Sequence, residues 1–278
     1  MDMGQVLPPG LDAFAPWLSR WRLTPDGEPF ETQFGNLLVP VLRRGQSAML
    51  KIAGGEEERR GGALMAWWKG EGAARVLARK GEAILLERLI GPRDLAAMSR
   101  NGGDVEVTLI LCQTAARLHA PRSEPPPCTL IPLDRWFGAL APAAATHDGA
   151  YRRAWVAARR LLAEPRDEVV LHGDLHHENV RDGGPRGWCA IDPKGLWGER
   201  AFDYANLFRN PCAEVALAPG ALRRRLDLVC GTAGLEPRRM LSWVLVYAGL
   251  GASWSLQGGQ DPSASLAIAE LAAAELGL

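Results

Sequence analysis

The sequence predicts an α+β fold in which a small antiparallel sheet precedes a mostly helical region. Apolar runs separated by turn residues predict strands between residues 30 and 89. From residue 90 onward, apolar residues recur mainly at helical spacing. Between two later strands lies a polar loop, residues 172–179, that reads HGDLHHEN. The 278 residues, with 47% hydrophobic and 23% charged side chains, are those of an ordinary globular protein.

The first third of the chain contains two predicted helices and five predicted strands. Residues 9–21 have the apolar spacing of a helix that begins at Pro8 and Pro9. A second helix is expected at residues 56–69, although it contains Gly61 and Gly62. The strands are expected at residues 30–34, 37–42, 47–52, 73–79 and 82–89. Turn residues at 35–36 and 43–46 connect the first three, so we expect a five-stranded antiparallel sheet.

The remaining two thirds read as helices interrupted by two strands. The helices are expected at residues 104–119, 133–140, 149–163, 222–230, 237–255 and 262–276. Strands at 168–171 and 187–191 flank a glycine-rich turn at 182–185. We expect these two strands to pair as a hairpin, which would bring Asp174, Asn179 and Asp192 together.

Three polar side chains in this region predict phosphate chemistry. Carboxylates held close together repel each other unless a cation or a shared proton intervenes. Asn179 and Asp192 offer hard oxygen ligands, which suit a Mg²⁺ ion that bridges phosphates. Asp174 precedes Asn179 by five residues, so it can face the same centre and accept a proton from, or orient, an attacking hydroxyl.

The same residues carry a family resemblance. Residues 172–179 (HGDLHHEN), 191–193 (IDP) and 198–206 (GERAFDYAN) resemble the aminoglycoside phosphotransferase superfamily. HGDLHHEN followed by IDPKGLWGE is most similar to its streptomycin 6-kinase and hydroxyurea-resistance kinase branch. The resemblance implies a two-lobed, protein-kinase-like fold, with a nucleotide-binding lobe at residues 1–89 and a helical lobe with the substrate site at 90–278. It also implies ATP- and Mg²⁺-dependent phosphorylation of an alcohol group on a small molecule, such as the aminoglycoside streptomycin.

In this interpretation each part of the kinase site has a candidate residue. Asp174 is the catalytic residue, Asn179 and Asp192 hold Mg²⁺, and Lys51, paired with Glu58, contacts the ATP phosphates. The turn at Gly35 and Asn36 covers the phosphates, and backbone groups near Glu87 and Leu89 bind adenine. His172 and Asp203 brace the catalytic loop, and Lys194 either touches a phosphate or points to solvent. Candidate contacts to a cationic substrate are Glu199, Asp261 and Glu270.

Other functions are compatible with some of these residues. His172, His176 and His177 could be zinc ligands of a metallohydrolase, but no histidine follows them to complete such a site. The resemblance favours an aminoglycoside as the acceptor, and the alternative is a kinase of hydroxyurea or of another small metabolite. A non-catalytic nucleotide-binding scaffold has no need to retain Lys51 together with Asp174, Asn179 and Asp192.

Charge and cysteine content narrow the range of partners. The net charge is zero, so no global field favours nucleic acid or an anionic membrane. Five widely spaced cysteines without a CxxC motif indicate reduced thiols and a cytoplasmic protein. No signal peptide is expected, because the N-terminus has Asp2 and no basic region before an apolar run. No membrane-spanning run is expected either, because the apolar segment 241–255 is too short to span a bilayer. We expect a small-molecule partner and a monomer or a dimer.

Overall fold

The computed structural model describes residues 10–127 and 129–278. The predicted helix start at Pro8 and Pro9, and Cys128, lie outside the described residues. An antiparallel sheet of six strands forms the N-terminal lobe, in the order β1-β3-β4-β6-β5, with β2 also paired to β3. Its strands are β1 (Leu23–Pro25), β2 (Phe30–Glu31), β3 (Leu37–Arg43), β4 (Gln46–Ile52), β5 (Val76–Lys80) and β6 (Ala83–Glu87). The sequence predicts five strands in this sheet, and the structure has six. The additional strand is the short β1, which pairs with the end of β3 that lies beyond β2.

Alternation along these strands divides the sheet into two faces. Val39, Leu50 and Leu85 are fully buried on one face, against a helical segment that ends in helix α1 (Ala15–Trp21). Successive side chains of a strand point to opposite faces, so Lys51 lies on the other face of the sheet. The alternation along β4 therefore points Lys51 away from α1 and toward the C-terminal helices.

Helix α2 (Glu56–Trp68) follows β4 and joins the lobes. Leu64 and Trp68 are buried in the same hydrophobic core as the C-terminal helices, rather than in the core beneath α1. After α2, the backbone N–H of Ala74 donates to the carbonyl of Ala190 at 2.9 Å. The expected strand at 73–79 therefore begins only at Val76, since the chain before it pairs with the other lobe.

The C-terminal lobe is mostly helical. Its helices are α3 (Leu95–Met98), α4 (Asp104–His119), α5 (Leu140–Thr146), α6 (Ala150–Ala163), α7 (Ala201–Ala205), α8 (Ala213–Ala216), α9 (Ala221–Ala233), α10 (Pro237–Gln257) and α11 (Ser263–Leu276). Helix α10 is buried on most of its surface, which explains the apolar run at 241–255 as a core helix. Within the described residues, no helix combines the length and apolar character needed to cross a membrane.

The strands around the polar loop pair differently from the expectation. Strand β8 (Glu168–Leu171) pairs with β11 (Leu196–Glu199), which also contacts the short β7 (Ile131–Pro132). The hairpin instead joins β9 (Val180–Asp182) to β10 (Trp188–Ala190). The expected 168–171 to 187–191 hairpin is therefore wrong. The loop at 172–179 connects β8 to β9, and the turn at 191–195 connects β10 to β11. Because β8 pairs with β11 and β9 pairs with β10, the loop and the turn still meet.

Because His177 is buried, we expect the protein to lose stability in acid. Burial, together with the positive charge of Arg225, lowers the pKa of His177 to about 3. Between pH 6.5 and 3 the unfolded chain binds a proton that the folded chain does not, so stability falls as the pH falls. The slope from this group reaches about 1.4 kcal/mol per pH unit. Urea unfolding from pH 7 to pH 4 should show a smaller pH dependence in His177→Gln than in the wild type. The exposed His147→Gln is the control, and an unchanged dependence in His177→Gln would contradict the assignment.

Candidate active site

A cavity of about 560 Å³ lies between the sheet and the helical lobe. This volume is within the range of small-molecule and cofactor sites. Apolar side chains, including Leu38, Met49, Ile84, Leu86 and Ile191, line part of it. The polar residues predicted for nucleotide and metal binding line the rest: Asn36, Lys51, Glu58, Glu87, Asn179 and Asp192, with Leu89 beside them.

The predicted ion pair between Lys51 and Glu58 is present in this cavity. The ammonium of Lys51 donates to the Glu58 carboxylate and, at 2.5 Å, to Oδ1 of Asp192. Burial alone would raise the pKa of Asp192, but the charges of Lys51 and Lys194 hold it below its usual range. Asp192 also has a left-handed backbone with φ of 61°. Such a conformation in a non-glycine residue is characteristic of functional sites.

The carboxylate of Asp174 is held by amides and by a phenol. Its Oδ1 accepts a hydrogen bond from Nδ2 of Asn206 at 2.9 Å, and the hydroxyl of Tyr247 lies 3.5 Å away. Nδ2 of Asn179 donates to the Asp174 backbone carbonyl at 2.8 Å. These contacts fix the side chain while leaving it about one third exposed. Asp174 therefore presents an oriented and accessible carboxylate, a group that can accept a proton.

His172 and Asp203 hold the backbone of the loop behind Asp174 through hydrogen bonds. The Asp203 carboxylate accepts the backbone N–H groups of His172 and Gly173 at 2.8 and 2.7 Å. His119 also pairs with Asp203 and offsets the burial that would otherwise raise the pKa of this carboxyl. Burial lowers the pKa of His172, whose ring contacts the carbonyl of Ile191 at 2.8 Å. The loop and the Asp192 turn are thereby tied together.

The predicted phosphate-covering turn, Gly35 and Asn36, lies in the loop of residues 32–36 between β2 and β3, called the phosphate loop below. Asn36 is buried, and its Oδ1 accepts the backbone N–H of Gly54 at 2.9 Å. A Cβ on Gly54 would lie 2.5 Å from the carbonyl oxygen of Gly35, so only glycine allows this close approach. The loop thus has a defined closed shape over the cavity, with Phe34 exposed at its tip.

The linker after β6 offers backbone groups to the cavity. The N–H of Glu87 is already bound to the carbonyl of Arg75 at 2.9 Å, and the Glu87 side chain pairs with Arg186. Among the described residues, the backbone N–H of Leu89 has no hydrogen-bond partner. An adenine ring could therefore receive a hydrogen bond from the backbone N–H of Leu89, whereas the side chain of Glu87 is already paired with Arg186.

Helix α2 rests directly on the turn that holds Asp192. A Cβ on Gly61 would lie 2.2 Å from the carbonyl oxygen of Pro193. Nε of Arg60 donates to the carbonyl of Lys194 at 2.8 Å. Gly61, one of the two glycines in this helix, therefore lets α2 pack directly against the backbone of the Asp192 turn.

Replacing Gly61 with alanine is expected to lower activity and thermal stability, although alanine favours helices by about 1 kcal/mol. The added Cβ would meet backbone rather than a flexible side chain, so the helix must move away from the Asp192 turn. The matched control is Gly62→Ala, whose Cβ would meet only the ends of two side chains, Ile84 at 3.3 Å and Arg79 at 3.8 Å. Melting temperature and kcat should fall in Gly61→Ala alone. Equal behaviour of the two variants would contradict this packing argument.

Comparison with known proteins decides the family. The family model for aminoglycoside/hydroxyurea antibiotic resistance kinases matches residues 20–259. A streptomycin 3''-kinase of Klebsiella pneumoniae is 50% identical over 247 residues, which cover 87% of this chain and 92% of that protein. The chain belongs to the aminoglycoside/hydroxyurea antibiotic resistance kinase family. A streptomycin 6-kinase of Streptomyces griseus is 32% identical, with 99% of this chain and 91% of that protein covered.

Solved structures confirm the two-lobed, protein-kinase-like fold of this family member. The aminoglycoside phosphotransferase APH(4)-Ia superposes with a TM-score of 0.65 over 94% of this chain and 97% of its own, at 12% sequence identity. Because the chain belongs to the aminoglycoside/hydroxyurea antibiotic resistance kinase family, the protein is a phosphotransferase with an alcohol group as acceptor, as the motifs predicted.

The three loop histidines do not form a zinc site in this kinase. His172 binds the Ile191 carbonyl, and His177 is buried near Arg225, away from the cavity. Across the described residues, no group of three or more histidine, cysteine or acidic side chains could hold a metal ion. The metallohydrolase alternative therefore lacks the converging ligands that zinc requires.

The structure rejects Glu199 as a substrate contact. Glu199 is buried, and its carboxylate accepts hydrogen bonds from Arg239, from Trp243 and from the backbone of Arg166. A carboxylate with all these partners stabilises the base of the lobe and has no capacity left for a cationic ligand. Asp261 caps helix α11 through Ser263, and Glu270 pairs with Arg153. Neither lines the cavity, so their role in substrate binding stays a prediction.

Sequence reasoning missed two partners of Asp174. Asn206 is part of the GERAFDYAN segment, but nothing in its spacing assigned it a role. Tyr247 lies in the apolar helix α10, where a single phenol in an otherwise apolar run was the available signal. Both contacts join residues more than 30 positions apart, so local patterns do not reveal them.

Proposed function

We propose that this kinase phosphorylates streptomycin with Mg²⁺ and ATP. The observation that carries the proposal is the convergence of Lys51, Asn179 and Asp192 on one cavity, with Asp174 oriented beside it. The 50% identity to a streptomycin 3''-kinase supports streptomycin as the acceptor and its 3''-hydroxyl as the site. The streptomycin 6-kinase relative is less similar, at 32% identity.

The residues present fit a magnesium ion. Mg²⁺ in phosphate-transfer sites takes one or two protein ligands, and substrate phosphates and water complete its shell. Asn179 and Asp192 would be those ligands. Nδ2 of Asn179 is engaged with Asp174, which leaves its amide oxygen available. When bound, the ion would neutralise charge on the phosphates.

The proposed mechanism assigns each remaining residue one task. The lobe of residues 1–89 binds the nucleotide, with Lys51, held by Glu58, steadying its phosphates, residues 32–36 covering them and Leu89 reaching adenine. The lobe of residues 90–278 binds the acceptor and presents Asp174 to its hydroxyl. Asn206 and Tyr247 keep the Asp174 carboxylate aimed, and His172 with Asp203 holds the loop. Catalysis depends mainly on position and electrostatics, because phosphoryl transfer needs little covalent assistance.

The test is ADP release from Mg²⁺ and ATP with streptomycin, hydroxyurea and a panel of aminoglycosides. We expect release that depends on streptomycin, and a product that carries phosphate on the 3''-hydroxyl in two-dimensional ³¹P–¹H NMR spectra. Phosphate on the 6-hydroxyl would reject the assigned position and keep the substrate. Release with hydroxyurea alone would favour the hydroxyurea kinase alternative. Nucleotide binding without turnover on any acceptor would overturn the proposal and favour a scaffold or another metabolite.

A further inference from the structure

Lys194 lies beside the candidate active site, next to Asp192 and Phe34, which line the cavity, and it has no task in the proposed mechanism. Its side chain is only 12% exposed. Its ammonium lies 3.0 Å from Oε1 of Glu57 and 3.9 Å from Oδ2 of Asp192. The ring centroid of Phe34, at the tip of the phosphate loop, is 5.7 Å away. The expectation that Lys194 points to solvent is therefore excluded.

The backbone on both sides of this ammonium is fixed. The N–H of Lys194 donates to the carbonyl of His172 at 2.7 Å, and its own carbonyl accepts Nε of Arg60 at 2.8 Å. One of these contacts comes from the catalytic loop and the other from helix α2. A side chain that starts from such an anchored position delivers its charge to one place with little loss of entropy.

The two lysines of the site take opposite sides of Asp192. Lys51 contacts Oδ1 of this carboxylate and is also committed to Glu58. Lys194 lies on the Oδ2 side, with its ammonium 3.9 Å from Oδ2 of Asp192 and 3.0 Å from Oε1 of Glu57. The two ammonium groups therefore lie nearest different oxygens of the carboxylate that is proposed to bind the metal ion.

We propose that Lys194 is a further catalytic residue, whose ammonium contacts the transferred γ-phosphoryl group. This inference rests on the proposed function. In the reaction the bond from the γ-phosphorus to the bridging oxygen of ADP breaks, and a bond to the acceptor oxygen forms. The acceptor proton moves to the Asp174 carboxylate. Lys194 gives up no proton, and its charge stabilises the phosphoryl oxygens as they transfer.

This role differs from that of Lys51 in a measurable way. A group that touches only the γ-phosphate distinguishes a triphosphate from a diphosphate, whereas a group on the α- and β-phosphates does not. Lys194→Met removes the charge and keeps the unbranched side chain up to the position of the ammonium group. We expect it to weaken binding of the non-hydrolysable triphosphate AMP-PNP with Mg²⁺ by about 10-fold. We expect the affinity for ADP to change less than about 2-fold, and kcat to fall by at least about 10-fold.

The controls separate contact with phosphate from a structural role. Lys69→Met removes an exposed lysine that pairs with Glu124 and should change neither affinity. Glu57→Gln breaks the ion pair of Lys194 but keeps its charge, so it should leave the preference for AMP-PNP over ADP intact. If Lys194 only anchors α2 through Glu57, then Glu57→Gln will match Lys194→Met and the proposal is overturned. Lys194→Arg, which keeps the charge, should recover part of the AMP-PNP affinity and serves if Lys194→Met does not fold.

The outcomes also separate this inference from the proposed function. A wild-type protein that binds neither ADP nor AMP-PNP would overturn the proposed function itself. A wild-type protein that binds both, with a Lys194→Met variant that loses both equally or neither, would overturn the role of Lys194 alone. Isothermal titration calorimetry at one Mg²⁺ concentration supplies all of these values.

Discussion

Replacing Asp174 with asparagine is expected to lower kcat by at least about 10²-fold, the effect of losing a positioned acid–base group. Asparagine has the same shape and can still accept the hydrogen bond from Asn206, so the loop should keep its structure. The amide cannot take the proton of the acceptor hydroxyl. Steady-state kinetics of acceptor-dependent ADP release, with the melting temperature measured in parallel, check this result.

The controls for Asp174→Asn test position and chemistry separately. Asp148→Asn changes an exposed carboxylate on the surface and should leave kcat unchanged. Asn206→Ala removes a hydrogen bond to Asp174 and should lower kcat by a smaller factor than Asp174→Asn does. ADP affinity should be retained in Asp174→Asn. A fully active Asp174→Asn enzyme would remove Asp174 from the catalytic role.

Replacing Arg225 with methionine is expected to lower the free energy of unfolding by about 3–5 kcal/mol, the usual effect of breaking a buried ion pair. The guanidinium of Arg225 is almost fully buried and binds Asp104 through Nε at 3.0 Å and Nη2 at 2.6 Å. It also donates to the carbonyls of Leu207 and Asn210. Methionine would leave the buried carboxylate with only the more distant and more exposed Arg224, whose Nη2 lies 3.9 Å from Oδ2 of Asp104. Urea or thermal unfolding at pH 7 measures the loss.

A double variant distinguishes a lost ion pair from lost packing. Removing both charges with Arg225→Met and Asp104→Leu should recover a large part of the stability, because no unpaired charge remains. Arg223→Met is the surface control, since its pair with Glu275 is exposed and worth at most about 1 kcal/mol. A double variant as unstable as Arg225→Met would show that the carboxylate is not the source of the loss.

Arg225→Met is also expected to change how the free energy of unfolding depends on pH. Burial would raise the pKa of Asp104, but in the wild type Arg225 holds it below its usual range. The stability that this group contributes is therefore present above about pH 4 and is lost as the pH falls through the folded pKa. In Arg225→Met the buried carboxyl takes up a proton more readily. The difference between the two proteins should narrow from pH 7 to pH 3.

The predicted secondary structure agrees well with the fold wherever local patterns decide it. The helix at 104–119 and the strand at 168–171 have the same bounds in sequence and structure. Apolar periodicity sets such elements, since each buries one face against whatever packs there. The short strand Leu23–Pro25 was missed, because three residues carry too little pattern and the strand forms only by pairing with β3.

The sequence by itself determined the α+β class and the kinase family, and it predicted Asp174, Asn179 and Asp192 as site residues, because these inferences depend on residue types at short spacings. The tertiary structure decided which distant residues meet. It paired β8 with β11 and buried Glu199 against Arg239.

It also placed Asn206 and Tyr247 near the Asp174 carboxylate, and it brought the Lys194 ammonium to Glu57 of helix α2. The physical reason is the same in each case. An ion pair or hydrogen bond between residues 30 to 140 positions apart depends on how complete helices and strands pack, and no local pattern in the chain encodes that packing.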